Sequence, residues 1–561
     1  MKNKVINSNN YTARSYYGFF ADLIEKNRVS LLIILIAAFH FINNYIILVK
    51  HNLSALPVSI LESKSYAVSL EYFYAIREFF HSGITPDLSV SFRYAPDGPL
   101  YFLTTIPFYF LFGCAKSVAI LSNTLSILIL LTSVYFIGKR MCNKNAGILA
   151  CLLVSMIPGV YGYSQVYHIP VMLMALSTLV ITFLIYSNYF SNTYYSLLFG
   201  VSSGLLCLTK FSGVIYLIGP LIYLLYKMIT EDTKGPNRLS KVRLINLSLA
   251  GIVCGVLLLF WYLPQGARTF HGYSGSYNFR NILGWREHVN FIYIDFLIHD
   301  QLFPVLSILF ILCLIFFLFF RIRDKGLILL WLLVPYLFFT MLWPAKESYF
   351  TVPCLSAVAL IMSIVVETGV HNKLIKHIFI IILVFFITAQ HLFLCYGAGT
   401  SFASDPFLGR ITNVKKLIGN FQTVFHKVYP VIIAFKKPEV NVLVLSLSRD
   451  GMAIESLLVE AAAFNKLKIR TVNLLGCLSG GGETLISQGV NESYFLNKDF
   501  ILYTTDYYKS LEVYSALNSK EVSKEIIEAM RIFESCKNKF KLVQEIPMAG
   551  SDRLLVYERL N

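Results

Sequence analysis

A succession of long apolar segments with few charges inside them constrains this chain more than any other feature. The segments lie near residues 29–49, 117–138, 146–160, 169–188, 195–210, 212–227, 245–263, 303–320, 327–343, 351–367 and 376–396. A helix needs roughly 20 apolar residues to cross a hydrocarbon core about 30 Å thick. With no water to bond its amides, the backbone there must satisfy itself, which a helix does. We therefore read these segments as about eleven spans. Composition agrees: 56% of residues are hydrophobic and 14% are charged, against roughly 25% charged in a soluble domain. A soluble enzyme, a disordered chain and a fibrous repeat are all excluded.

The chain divides into three parts: a polar basic tail at 1–28, a membrane domain at 29–397 and a soluble domain at 398–561. The first apolar run is too long for a signal-peptide core and lacks a small-residue cleavage site, so it reads as an anchor. Basic clusters fall at Lys139-Arg140, Lys227 to Arg243, Arg321 to Lys325, and Lys373 to His377. By the positive-inside rule these are cytoplasmic, as is the tail. An odd number of spans then puts the C-terminal domain on the outer side of the plasma (inner) membrane. The same topology places the loops 50–116 and 264–302 outside. Residues 99–113 are apolar but short. If they crossed, every later basic cluster would lie on the wrong side, so they are read as an interfacial helix.

The net charge of +16 follows from those basic loops and from anionic lipid, so nucleic acid is not read as a partner. Most of the ten cysteines lie in or beside apolar segments, and no CxxC occurs. They read as buried thiols, with Cys477 and Cys536 left as a pair able to join. The C-terminal domain reads as α/β, with strands at 440–448, 469–475 and 499–505, helices at 452–466 and 521–537, and a hairpin at 540–560. Its LSGGGE run (478–483) has no accompanying GxxxxGK[ST] loop, so it is not read as part of an ATPase.

The outer loops hold the candidate chemistry. The first carries Glu62, Glu71, Glu78, Asp87 and Asp97. Residues 70–83 have apolar residues at helical spacing, with Glu71 near the start. A carboxylate held among aromatic rings at the membrane surface can serve as a general base. The same residue also fits a solvated charge favoured by the helix dipole. Asp97 tips a Pro/Gly turn, where an aspartate is commonly structural. Lys210 follows an apolar run, with only a turn before the next span. On the outer side it either snorkels or meets an anion such as a lipid phosphate. Lys346 repeats that setting, and Arg268, Arg280 and Arg286 add outer positive charge.

Taken in order, several short motifs resemble those of the GT-C fold glycosyltransferases. The likeness is to the superfamily of protein O-mannosyltransferases and lipid A aminoarabinose transferases, and it covers residues 29–397. The stretch Leu70-Glu71-Tyr72-Phe73-Tyr74-Ala75, ending at Ser82-Gly83, resembles the first-loop motif Asp-Glu-x-Tyr-Tyr-Ala. Gly98-Pro99-Leu100-Tyr101-Phe102 resembles Pro-Pro-Leu with its aromatics, and Gly138-Lys139-Arg140 with Ala146-Gly147 resembles an inter-span motif. Leu208-Thr209-Lys210 matches Leu-Thr-Lys, and Lys346, Tyr349 and Pro353 resemble a late Lys-x-x-Tyr-x-x-x-Pro pattern.

The resemblance implies a membrane enzyme that moves a sugar from a polyprenyl-phosphate donor to an acceptor hydroxyl, with inversion, on the outer face. Glu71 is then the base. Lys210, Lys346, Tyr74, Asp97, His168 and Tyr349 bind substrate, with Asp97 and Glu62 next in line as base. The acceptor is a glycan, lipid or protein, and membrane lipids are further partners. Two departures stand out. Leu70 occupies the position of the family's usual Asp, and in His168-Ile169-Pro170 a His replaces the second Asp. The resemblance therefore assigns no certain cofactor; a divalent metal stays open, with His168 able to ligate it or to pair with phosphate. The competing expectation is a protein of the same fold that binds or transports lipid-linked sugars without transferring them.

Overall fold

Apolar runs in a medium that offers no hydrogen bonds must close their own backbone bonds. The computed structural model describes residues 28–47, 60–83, 98–232, 241–263, 291–343, 347–370, 372–396, 439–445, 468–473, 492–504, 531–547 and 553–560. Up to residue 396 the described elements are almost all helices. They are α1 (Arg28–Ile47), α2 (Ile60–Ser82), α3 (Leu100–Phe112), α4 (Lys116–Met141), α5 (Lys144–Met156), α6 (Pro158–Ser164) and α7 (Pro170–Tyr186). After these come α8 (Thr193–Thr209), α9 (Ile215–Asp232), α10 (Lys241–Tyr262), α11 (Phe303–Phe319), α12 (Lys325–Met341), α13 (Leu355–Gly369) and α14 (Lys373–Tyr396).

Each segment expected to span is helical for most of its length. Among the described residues, five stretches are long and apolar enough to cross singly: α1, α4, α10, Ser348–Gly369 and α14's Lys373–Leu392. Two bent pairs qualify together: α5 with α6 at 60°, and Ile292–Gln301 with α11 at 115°. Pro158 opens α6 and accounts for the first bend. Helices α7, α8 and α12 have 17 residues each, at the short end of the roughly 17–25 that span. The 13 residues of α3 reach only about 20 Å at about 1.5 Å per residue, so it is too short to cross. It packs on the first-loop helix α2 instead.

The core lies along α7 and α13. Every side chain from Leu355 to Val366 is buried. Helices α10 and α14 are rim helices, with Ile252, Phe260, Ile381 and Phe385 exposed, as suits side chains facing lipid tails. Helix α8 is held between α7 and α10. Its Gly200 lets the Ala250 backbone come so close that a side-chain carbon there would overlap it, the small-residue contact typical of membrane helices.

The C-terminal domain is the α/β unit expected. Strands β1 (Glu439–Leu445), β2 (Lys468–Asn473), β3 (Phe500–Thr504), β4 (Phe540–Pro547) and β5 (Arg553–Arg559) form one sheet in the order β2-β1-β3-β5-β4. Parallel pairing sets Leu443 opposite both Val472 and Ile501, and antiparallel pairing sets Tyr503 opposite Leu555. The expected final hairpin is β4–β5. Val442, Phe500, Ile501, Leu502, Phe533 and Val556 are fully buried and form its core. Cys536 is buried, and Cys477, the partner considered from the sequence, lies outside the described residues. The LSGGGE run and the expected helix at 452–466 lie outside the described residues.

Candidate active site

Helix α8 stops where Thr209 meets Lys210. The lysine takes an extended backbone (φ −156°, ψ 134°), and Phe211–Val214 then forms a tight 3₁₀ turn. Gly213 N–H donates to the Lys210 carbonyl at 2.8 Å and closes that turn. The ammonium is thereby held at the helix end. It lies 5.2 Å from the ring centre of Tyr349 and 5.8 Å from that of Phe350, within the range at which a ring face attracts a cation.

Two other segments meet it there. His168 sits in the bend before α7, with its ring edge-on to Tyr349 at 5.0 Å. It is buried, and burial, followed by the charge of Lys210, brings its pKa down to about 3. At neutral pH it is an uncharged imidazole. The turn carrying Tyr349 is pinned from several sides. The hydroxyls of Tyr163 and Ser348 are 2.7 Å apart, and Tyr216 donates its hydroxyl to the Phe350 carbonyl at 2.7 Å.

The end of the first loop is fastened to the same place. Gly98 N–H donates to the Thr209 carbonyl at 3.2 Å. A side-chain carbon at residue 98 would overlap the Leu208 carbonyl, so only glycine fits. The motifs Gly98-Pro99-Leu100 and Leu208-Thr209-Lys210, over a hundred positions apart, are thus in backbone contact.

Of the site residues expected from sequence, Lys210, His168 and Tyr349 come together. Asp97 and Lys346 lie outside the described residues, as do Arg268, Arg280 and Arg286. Glu71 is half-buried on α2, between buried Leu70 and Tyr72. Tyr74, one turn on, lies under the Arg77 guanidinium at 4.9 Å and hydrogen-bonds Cys114. Cys114 is at the end of α3 opposite Gly98, while neighbouring Tyr72 stacks on Phe102 near the Gly98 end.

Glu62 proves to be structural. Its Oε1 accepts the Tyr167 N–H at 3.0 Å, and its Oε2 lies 3.3 Å from Lys116 Nζ, with both side chains no more than 1% exposed. A carboxylate so committed holds the chain beside His168 and is poorly placed to take a proton from an acceptor. Sequence reasoning missed Lys116. The signal was available: like Lys210, it is a lysine at an apolar helix end on the side expected to face out.

Residues 96–260 match the family described as dolichyl-phosphate-mannose-protein mannosyltransferase. That range holds Gly98, His168 and Lys210. Among solved structures, ArnT from Cupriavidus metallidurans bound to undecaprenyl phosphate superposes with a TM-score of 0.58 at 14% identity, covering 94% of this chain and 98% of that one. Its apo form gives 0.57, also at 14% identity, over 94% and 97%. The chain has the GT-C fold. The Archaeoglobus fulgidus oligosaccharyltransferase in complex with Zn and sulfate aligns at 0.49 and 14% identity, over 85% of this chain and 69% of that one. No curated protein sequence matches the chain significantly.

Within this GT-C scaffold, the described residues contain no group of three His, Cys, Asp or Glu side chains able to hold a metal ion. His168 by itself is not a ligand set.

Proposed function

We propose that this protein is a membrane glycosyltransferase that takes a sugar from a polyprenyl-phosphate donor and passes it to an acceptor hydroxyl on the outer face of the plasma membrane. The observation that carries this reading is the convergence of Lys210, Tyr349 and His168 at one end of a GT-C helix bundle. A lysine held over ring faces beside an imidazole offers a positive charge to a phosphate. The donor lipid enters between helices. Lys210, joined by Lys346, holds its phosphate and stabilises the charge that grows there as the glycosidic bond breaks.

Glu71 removes the proton from the acceptor hydroxyl, which attacks the anomeric carbon from the side opposite the phosphate. The bond to the new oxygen forms as the bond to phosphate breaks, and the configuration inverts. Tyr74 and Asp97 border the acceptor, His168 and Tyr349 the donor. Residues 398–561 stand on the outer side. A second reading rests on Leu70 and His168, which replace acidic residues of the resembling family: the fold is kept to bind lipid-linked sugar without transfer.

One experiment separates the two. Membranes containing the protein, which supply the acceptor hydroxyl, are given polyprenyl-phosphate sugars, and release of free polyprenyl phosphate is followed. Transfer by the native protein, lost in Glu71→Gln with donor binding intact, is the expected result. Transfer lost only in Asp97→Asn would move the base to Asp97. Donor binding without release in the native protein would establish the second reading.

A further inference from the structure

The turn that carries Tyr349 is organised by one buried amide. Gln301 is 1% exposed and closes a short π-helical turn, Phe296–Gln301. Such turns add a residue to the helix and redirect a side chain. The chain then swings by 115° into α11, with Phe303 at a positive φ of 66°. Gly159 allows Gln301 to approach α6: a side-chain carbon there would be 3.1 Å from the Gln301 Cα.

In that position the Gln301 Nε2 donates both its hydrogens, to the Ser348 carbonyl at 2.7 Å and to Thr351 Oγ1 at 2.8 Å. Its Oε1 faces the Tyr336 hydroxyl at 3.4 Å. The two acceptors lie on either side of Tyr349-Phe350, so the amide spans the pair of rings over which Lys210 rests. A buried amide with each hydrogen assigned to a fixed acceptor tolerates little rotation.

We propose that Gln301 is a positioning residue for the lipid-phosphate site, acting through Tyr349. The inference rests on reading the Lys210–Tyr349 cluster as that site. Gln301 touches no substrate. It sets the height and tilt of the Tyr349 ring, and so the place of the Lys210 ammonium.

The test measures binding of undecaprenyl phosphate to the full-length protein in nanodiscs. Lys210→Ala checks the underlying reading and should weaken binding strongly. Gln301→Leu should weaken it about tenfold, the loss of a buried hydrogen-bond pair of about 1.4 kcal/mol, in a protein that still unfolds cooperatively. In a Tyr349→Ala background, Gln301→Leu should then change affinity by less than about twofold, because residues acting through one another are not additive. Multiplying losses, or a Gln301→Leu affinity equal to native while Lys210→Ala is weakened, overturns the proposal. Native affinity in Lys210→Ala overturns the reading beneath it, and the proposal with it. If Gln301→Leu does not fold, Thr351→Val removes one acceptor of the amide and should give a smaller loss that also vanishes in Tyr349→Ala.

Discussion

Lys210 and Lys227 stand at opposite ends of the path through α9, and both lie over tyrosine rings. Lys227 is 5.5 Å from the Tyr189 ring and 5.9 Å from that of Tyr223. It is also 3.3 Å from Asp324, which in turn accepts the Tyr223 hydroxyl at 2.9 Å and lies 3.3 Å from Arg323 Nε. That end is a closed latch joining α9 to α12, and its lysine is neutralised by a carboxylate. At Lys210 the ring faces of Tyr349 and Phe350 and the buried His168 surround the cation. Lys116, paired with Glu62, is a third case in which the charge is cancelled inside the protein. The same residue type thus fastens the chain at Lys227 and Lys116 through a carboxylate, and we propose that at Lys210 it binds phosphate.

The largest effect that would test this contrast is at the buried pair. Lys116→Met should destabilise the protein by about 3–5 kcal/mol, because it leaves Glu62 charged and buried. Glu62→Gln with Lys116→Met should recover much of that in thermal unfolding. No recovery would show that the pair does more than hold the chain. Next come the two half-buried lysines. Lys210→Met should lower undecaprenyl phosphate affinity about 10- to 100-fold, the range for one charge-assisted contact, with the unfolding midpoint little changed. Lys227→Met should do the reverse. If both variants lose affinity alike, the distinction between fastener and binder collapses.

The smallest effect is the pH dependence of the latch. Burial alone would raise the Asp324 pKa, but the nearby Tyr189 hydroxyl, the hydrogen bond from Tyr223 and the Lys227 charge more than offset it and hold the carboxyl below its usual range. A carboxyl depressed in the folded state stabilises the protein above its unfolded pKa, near 3.9. That stability is lost as pH falls below about 4 through the folded value. The midpoint of the native protein should therefore drop in that acid window. Asp324→Asn should have a lower midpoint at neutral pH and a shallower acid drop. An acid limb identical in both would show that Asp324 does not anchor the latch. A further expectation concerns His168: because it stays neutral down to about 3, donor binding should show no step near pH 6.5.

Much of this was legible in the residues. The apolar runs alone dictated helices, because nothing else satisfies a backbone in hydrocarbon, and each expected span is helical. The shortness of 99–113 separated α3 from the spans. The sequence–order likeness picked out Lys210, His168 and Tyr349, which lie well apart along the chain and meet in space.

What the tertiary structure decided was the partner of each polar group. Sequence put Glu71 first as base and kept Glu62, in the same loop, as a fallback. Packing buried Glu62 against Lys116 and the Tyr167 amide and left Glu71 half-buried on the same helix. Sequence likewise gave no reason to single out Gln301, whose importance lies in a π-turn and a bend that set its amide between Ser348 and Thr351. The physical reason is one of range. Transfer into lipid acts residue by residue along a segment, so its result is written in local composition. Hydrogen bonds and ion pairs act over about 3 Å between groups far apart in sequence, so only the folded chain can assign them.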